Sequence, residues 1–186
     1  MTEGSREVPA THDRFTVVPA AYVFLLRDGV GGLEVLLQLR RNTGYMDDHW
    51  AAAAAGHVER GETAVAAAHR EAAEEIGVTD LALEFLTTMH RTRHDLAIDE
   101  RVDFFFTART WTGEPRIIEP LKCAELRWIP LHRLDDLPGP VVSHERVVLD
   151  GLAARHHGEH GGLAAYTTFG FEDTDEPPDT DRKDHP

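Results

Sequence analysis

Three glutamates in the middle of the chain have a spacing that brings their carboxylates together. Glu71, Glu74 and Glu75 occupy positions i, i+3 and i+4, and such positions share one face of an α-helix. Carboxylates this close repel one another, and a hard divalent cation with oxygen ligands would relieve the repulsion. Mg²⁺ characteristically binds carboxylates and substrate phosphates together. The spacing predicts metal-assisted chemistry on a phosphate compound, and the alternative is a solvated, charged helix face.

A longer motif favours the first interpretation. The segment from position 56 to position 78 resembles the Nudix box, G-x5-E-x7-R-E-U-x-E-E-x-G-U, where U is a bulky apolar residue. The matching residues are Gly56, Glu62, Arg70, Glu71, Glu74, Glu75, Gly77 and Val78. Seven specified residues would coincide by chance in roughly one window per 10⁸. Ala72 is smaller than the usual residue, and Ala53-Ala54-Ala55-Gly56 replaces a common Pro-Gly-Gly. We interpret both departures as variation within a subgroup.

The resemblance implies a fold and a reaction. Nudix hydrolases attack one phosphorus of a nucleoside diphosphate joined to a group X, with water as the nucleophile. The implied fold is an α/β/α sandwich with a mixed sheet, in which the box forms a loop–helix–loop. Weaker similarity to a bacterial, MutT-like subgroup extends over about residues 15–157, which we take as the domain.

The resemblance also implies a role for each box residue. Glu74 and Glu75 would be the core ligands of Mg²⁺, for which Mn²⁺ is a substitute, and Glu71 would be a ligand or the base that activates water. Arg70 and Glu62 would orient these groups. The predicted catalytic residues are Glu62, Arg70, Glu71 and Glu74, and the predicted metal ligands are Gly56, Glu71, Glu74, Glu75 and Glu119.

Glu119 enters this set because many family members add a carboxylate from a loop outside the box. Glu125 is also within range, and Lys122 occupies the position that aligns best. We select Glu119, whose alternative role is that of a turn residue before Pro120.

Apolar patterning predicts the elements that position these residues. Helices are predicted over Thr63–Ile76 and Val142–His156, and strands over Phe15–Leu26, Leu33–Leu39, Leu81–Thr88, Arg101–Thr110 and Leu126–Ile129. The first helix has an apolar stripe formed by Val65, Ala68, Ala72 and Ile76, and Gly77 stands where a C-terminal cap belongs. The Ala51–Ala55 run is ambiguous between helix and strand.

Composition restricts the class of protein. The chain has 186 residues, 41% of them hydrophobic, with one cysteine and a formal charge of -14. We expect a single cytoplasmic domain without a membrane span, and a nucleic-acid partner is excluded because the negative field repels phosphate backbones. Residues 1–14 are predicted to be disordered, and so is most of the acidic segment 158–186. A homodimer stays open.

Substrate signatures narrow the reaction by elimination. The sequence lacks the proline associated with ADP-ribose hydrolases, and it lacks the signatures of NADH and coenzyme A pyrophosphatases. The expected partner is therefore a small nucleotide, namely a nucleoside triphosphate that is hydrolysed as in MutT-like enzymes. The alternatives are ADP-ribose or nucleotide-sugar hydrolysis and a nucleotide sensor without catalysis. Isomerisation of a prenyl diphosphate would require a catalytic cysteine motif, which Cys123 lacks.

Overall fold

The computed structural model describes residues 15–93, 99–158 and 163–171. The expectations for residues 1–14 and for Glu172–Pro186 lie outside these ranges. The strands are β1 (Val18–Gly29), β2 (Gly32–Arg40), β3 (Trp50–Ala52), β4 (Ala54–His57), β5 (Leu83–Arg91), β6 (Arg101–Ala108), β7 (Cys123–Pro130) and β8 (Tyr166–Phe169), and the helices are α1 (Ala64–Ile76) and α2 (Ser143–His156). Neither helix combines the length and apolar character that a bilayer crossing demands.

The strands form one mixed sheet with β1 near its centre. The order is β3-β2-β1-β6-β5-β8, with β4 paired to β1 and β7 paired to β2. The strand β1 runs parallel to β6, and β5 runs parallel to β8, whereas the other pairs are antiparallel. The middle of β1 is buried on both faces, so its sequence is a continuous apolar run rather than an alternating one.

Two apolar clusters lie on opposite faces of the sheet. One contains Val148, Leu149 and Leu152 of α2, and the other contains the buried face of α1. Alternation along β6 divides its aromatic residues between the clusters, because Phe105 faces the first and Phe106 the second. The predicted α/β/α sandwich with a mixed sheet is therefore confirmed.

The helix α1 ends at the predicted Gly77 cap and begins one residue later than predicted, because Thr63 is its N-cap. The Thr63 hydroxyl accepts a hydrogen bond from the Ala66 amide at 3.1 Å, and Gly77 has the left-handed φ of 70° that favours glycine. The predicted stripe is wrong at one position, because Val65 is 47% exposed. The buried residues are Ala67, Ala68, Ala72 and Ile76. Small side chains on this face let the helix pack closely against β1 and β4.

Strand pairing settles the segments that the sequence left open. The ambiguous alanine run forms β3 and β4, which pair with β2 and β1. The strand β7 is longer than predicted, since it pairs with β2 over nearly its whole length. The tail prediction needs a correction, because β8 lies inside 158–186 and pairs with β5. The ordered domain thus extends beyond the predicted boundary at residue 157.

Candidate active site

Glu75 is the most buried of the three clustered glutamates. Its carboxylate accepts a hydrogen bond from the Ala55 amide at 2.9 Å, and the Gln38 side-chain amide lies 3.5 Å away. Burial, together with the negative charges of Glu71 and Glu119, raises the pKa of Glu75 to about 7. A carboxyl in this environment holds a proton near neutral pH unless a cation compensates its charge.

Glu71 packs its carboxylate against the backbone of Gly56. A Cβ atom added at position 56 would collide with that carboxylate, so the box requires glycine here because of space. The pKa of Glu71 is raised by burial, although the neighbouring Arg70 acts in the opposite direction. The loop and the helix thus bring two predicted site residues into direct contact.

Arg70 connects the helix to the loop before it. Its guanidinium forms a bidentate ion pair with Glu62, at 3.0 Å for each contact. The same group donates to the His57 carbonyl at 3.0 Å, to Glu71 at 2.5 Å and to Glu74 at 3.2 Å. These acceptors raise the pKa of Arg70 above its ordinary value. The predicted orienting role of Arg70 and Glu62 is consistent with this geometry.

The donor set fits a hard divalent cation, although the side chains are not arranged as a metal shell. Glu71, Glu74 and Glu75 supply only oxygen atoms, which Mg²⁺ prefers, and burial together with neighbouring negative charges raises the pKa values of Glu71 and Glu75. Across residues 15–93, 99–158 and 163–171, no three His, Cys, Asp or Glu side chains are placed to hold a metal ion. Arg70 is one reason why the glutamates do not converge on a common point, because it forms ion pairs with Glu71 and with the half-exposed Glu74.

The two loop carboxylates differ in their surroundings. Glu119 binds the Lys122 ammonium at 2.9 Å and is close enough to Glu75 to raise its pKa. Glu125 instead forms an ion pair with Arg127 at 2.6 Å. The electrostatic contact with Glu75 favours Glu119 as the additional ligand, and it also places Lys122 near the cluster.

A cavity of about 650 Å³ opens beside the glutamate cluster and shares Ala55, Gly56 and His57 with it. Such a volume is typical of small-molecule sites. Its wall includes Tyr22, Arg40, Arg91, Arg93, Arg101 and His144. These residues come from four strands or their ends and from α2, so no local sequence motif predicts that they share a cavity.

A fully buried aspartate organises the floor of this cavity. Asp103 accepts hydrogen bonds from Nε of Arg91 at 2.9 Å and from Nε of Arg101 at 3.3 Å. The Tyr22 ring stacks on Phe105 at 4.6 Å, and burial together with Asp103 raises the pKa of Tyr22. The tyrosine hydroxyl therefore stays neutral.

The start of α2 adds two buried titratable side chains. Nε2 of His144 is buried and has no hydrogen-bond partner among the described residues. Burial, together with Arg91, Arg101 and Arg40, lowers its pKa well below the ordinary value, so the imidazole is neutral. Glu145 accepts a hydrogen bond from the Ala52 amide at 2.5 Å, and burial raises its pKa to about 7.

Comparison with known proteins supports the identification of the Nudix box. Residues 16–152 match the NUDIX domain family. Isopentenyl-diphosphate Delta-isomerase of Jannaschia sp. (strain CCS1) is 33% identical over 119 residues, which are 62% of this chain and 65% of that protein. The chain thus spans less than two thirds of that relative's length.

Two solved structures illustrate the shared fold. The MutT NUDIX hydrolase from Burkholderia pseudomallei is 27% identical, with a TM-score of 0.60 over 73% of this chain and 97% of that one. The NUDIX domain of Shewanella oneidensis NrtR, solved with ADP ribose, is 20% identical, with a TM-score of 0.63 over 83% and 99% of the two chains. Together with the domain match and the box geometry, these similarities place the chain in the Nudix family.

Proposed function

We propose that this protein hydrolyses nucleoside triphosphates to a monophosphate and pyrophosphate. The observation that carries the proposal is the glutamate cluster, in which all the glutamates of the Nudix box are present and a partly buried Glu75 lies on the same helix as Glu71, beside a ligand-sized cavity. A site with several clustered carboxylates is suited to bind a phosphate chain only together with a divalent cation.

The protein's own residues have distinct tasks in this proposal. Glu71, Glu74 and Glu75 would hold Mg²⁺ or Mn²⁺, with the Gly56 carbonyl and Glu119 as further ligands. When bound, the cation supplies charge neutralisation, orientation of the phosphate chain and a lower pKa for a bound water. Glu71 is also the candidate base, because a carboxylate of raised pKa accepts a proton more readily.

Arg70 and Glu62 act through the residues that they hold. The bidentate ion pair fixes the loop against α1, and the remaining Arg70 nitrogen, Nη1, positions the carboxylates of Glu71 and Glu74. We therefore assign both residues to orientation of the reacting groups, since Arg70 binds the carboxylates, Glu62 binds Arg70, and neither lines the cavity.

A Mg²⁺-dependent substrate panel tests the proposal. The purified full chain is incubated with nucleoside triphosphates, oxidised purine triphosphates, ADP-ribose and UDP-glucose, and the products are identified by mass. We expect triphosphates to yield a monophosphate plus pyrophosphate, with no turnover in EDTA. Reaction in ¹⁸O-labelled water identifies the phosphorus attacked, because the label enters only the product formed by that attack. Intact triphosphates beside rapid ADP-ribose cleavage would overturn the substrate but keep the Nudix hydrolase reaction.

The isomerase relative makes prenyl diphosphate isomerisation a second candidate. Cys123 is the only cysteine in the chain, and it is buried with its thiol donating to the Glu125 carbonyl at 3.3 Å. Burial raises the pKa of this thiol, so the reactive thiolate is disfavoured. Isopentenyl diphosphate belongs in the same panel, and we expect it to be recovered unchanged.

A further inference from the structure

The lining of the cavity beside the glutamate cluster is rich in positive charge, although the protein as a whole is negatively charged. The chain carries -14, yet four arginines line this one cavity, namely Arg40, Arg91, Arg93 and Arg101. Asp99 and Glu145 are the described acidic residues on its wall. Concave sites lined by one sign of charge focus the electrostatic potential. The cavity is therefore the part of the described surface best suited to an anion.

Two of these arginines share a single buried carboxylate. Asp103 is fully buried, and the Arg91 and Arg101 side chains that bind it are only 2% and 13% exposed. Two guanidinium groups against one carboxylate leave one positive charge without a counter-ion inside the pair network. A buried charge without a partner is costly, and a bound anion removes that cost. We call Arg91 and Arg101, which are both held by Asp103, the arginine pair.

Other contacts leave the arginine pair facing the cavity next to the Nudix box. Nη1 of Arg91 donates to the Tyr45 hydroxyl at 3.2 Å, and Nη1 of Arg101 lies 3.1 Å from Nε2 of His57. Neither contact supplies a negative charge. His57 directly follows Gly56, and its carbonyl accepts from Arg70. Arg101 therefore contacts the residue that follows Gly56, and Gly56 packs against the Glu71 carboxylate.

An unpartnered histidine faces the same space. His144 is 3% exposed and lines the cavity, and its Nε2 has no partner among the described residues. A neutral imidazole can donate one hydrogen bond from this nitrogen. A buried polar atom without a partner points to a ligand that supplies one.

We propose that the arginine pair and His144 bind a second anionic group of the substrate, attached to the scissile diphosphate but separate from it. The proposal rests on the hydrolase function proposed above and deepens it, because it makes the group X itself an anion. A nucleoside triphosphate meets this requirement with its terminal phosphate. ADP-ribose and neutral nucleotide sugars do not, which is a physical reason for preferring triphosphates.

Matched substrates isolate the charge of X. UDP-glucuronate differs from UDP-glucose by a carboxylate in place of a hydroxymethyl group, and UTP offers a phosphate instead. We expect kcat/KM to be at least about tenfold higher for one or both anionic substrates than for UDP-glucose. The carboxylate and phosphate arms show which anion the site accepts. Equal kcat/KM for all three substrates would overturn the proposal.

Variants test whether the arginine pair causes the preference. Arg101→Gln should bring the ratio of anionic to neutral kcat/KM close to one. Arg109→Gln is the matched control, because it removes the same charge from an exposed ion pair with Asp28 outside the cavity, and it should keep the wild-type ratio. If Arg101→Gln does not fold, Arg93→Gln at the exposed rim replaces it, with an expected loss of at least threefold in the ratio. An unchanged ratio in the folded cavity variant contradicts the proposal.

A binding measurement separates this proposal from the hydrolase function. Calorimetry in EDTA compares inorganic phosphate and glucuronate with neutral glucose, and we expect at least about tenfold tighter binding of one or both anions than of glucose. If no nucleotide is cleaved with Mg²⁺ but this difference holds, the proposed function fails and the anion site stands. If UDP-glucose, UDP-glucuronate and UTP are cleaved equally and neither anion binds more tightly than glucose, the anion site fails and the hydrolase stands.

Discussion

Arg70 holds two of the clustered carboxylates together through one nitrogen atom. Its Nη1 donates to Oε1 of Glu71 and to Oε2 of Glu74. Each of these carboxylates has a second oxygen atom that Arg70 does not contact and that a cation could use. The arginine therefore keeps two like charges together before a cation arrives, and its bidentate contact with Glu62 is made by its other two nitrogen atoms.

Neutralising a clustered glutamate should remove activity without harming the fold. We expect Glu75→Gln and Glu74→Gln each to lower kcat at least about 100-fold at limiting Mg²⁺, because the metal loses a charged ligand. Glu75→Gln should leave the melting temperature unchanged or higher, since the amide oxygen can still accept from Ala55 and a costly buried charge disappears. Steady-state kinetics and thermal melts in EDTA measure both effects.

Glu59→Gln is the matched control for these substitutions. Glu59 is an exposed glutamate of the loop before α1 and occupies a position that the motif leaves unspecified, so its variant should retain wild-type kcat. Near-normal turnover in both Glu74→Gln and Glu75→Gln would contradict the assigned metal site.

The sequence revealed the charged cluster but not the cavity next to it. The box residues lie within 23 positions, and their spacing on one helix predicts their proximity. The arginine pair and His144 come from β5, β6 and α2, more than 40 residues apart at the extremes. The antiparallel pairing of β5 with β6 sets Arg91 opposite Arg101, and the packing of α2 brings His144 to the same face of the sheet. No local motif in the sequence marks these contacts.

Elements with strong local signals were predictable, and those that depend on pairing were not. The apolar spacing and the Gly77 cap predicted both ends of α1 to within one residue. The alanine run that forms β3 and β4 has helical propensity, but its hydrogen bonds with β1 and β2 override that preference. Tyr166–Phe169 is a short segment with two threonines and no apolar run, so its place beside β5 depends entirely on tertiary contacts.

Two truncations should separate β8 from the acidic segment that follows it. Deleting residues 163–186 removes β8 and the Phe169 ring that packs edge-on against His144. We expect a clear loss of stability, on the order of 2–4 kcal/mol, from the lost strand pairing and aromatic burial. Chemical denaturation of the truncated and full-length chains measures this difference.

The matched control is deletion of residues 172–186 alone. This segment has seven carboxylates and two basic residues, so we predict that it buries little apolar surface and that its removal leaves melting temperature and turnover nearly unchanged. A marked drop in melting temperature on this shorter deletion would show that the acidic segment docks on the domain.

The buried carboxyls should make the stability of the whole molecule dependent on pH. The pKa values of Glu75 and Glu145 are raised from 4.5 to about 7, so the folded protein binds protons more tightly than the unfolded chain. Their stabilisation is full below pH 4.5 and is lost as the pH rises through about 7. The lowered pKa of His144 acts oppositely, but only below its unfolded value of 6.5. Between pH 6.5 and 8 the carboxyls therefore dominate.

We expect the free energy of unfolding in EDTA to fall over that interval, by up to about 1.4 kcal/mol per pH unit for each carboxyl. Glu145→Gln should flatten the slope, since its amide oxygen can replace the contact with Ala52. Saturating Mg²⁺ should raise the melting temperature more at pH 8 than at pH 6.5, because carboxylate ligands must be deprotonated. A wild-type stability that rises from pH 6.5 to 8 would contradict the assignment of raised pKa values.

The central position of β1 has a consequence for synthesis on the ribosome. Residues Ala20–Leu26 are almost completely buried in the finished sheet, but the parallel partner of Val18 is Arg101, 83 positions later (101 minus 18). At typical elongation rates of about 5–20 residues per second, that partner emerges roughly 4–17 s after the strand. During this time the hairpin with β2 can form, while the other edge of an apolar strand stays unpaired. The nascent chain thus has an interval in which a chaperone that recognises extended apolar segments would find β1 available for binding.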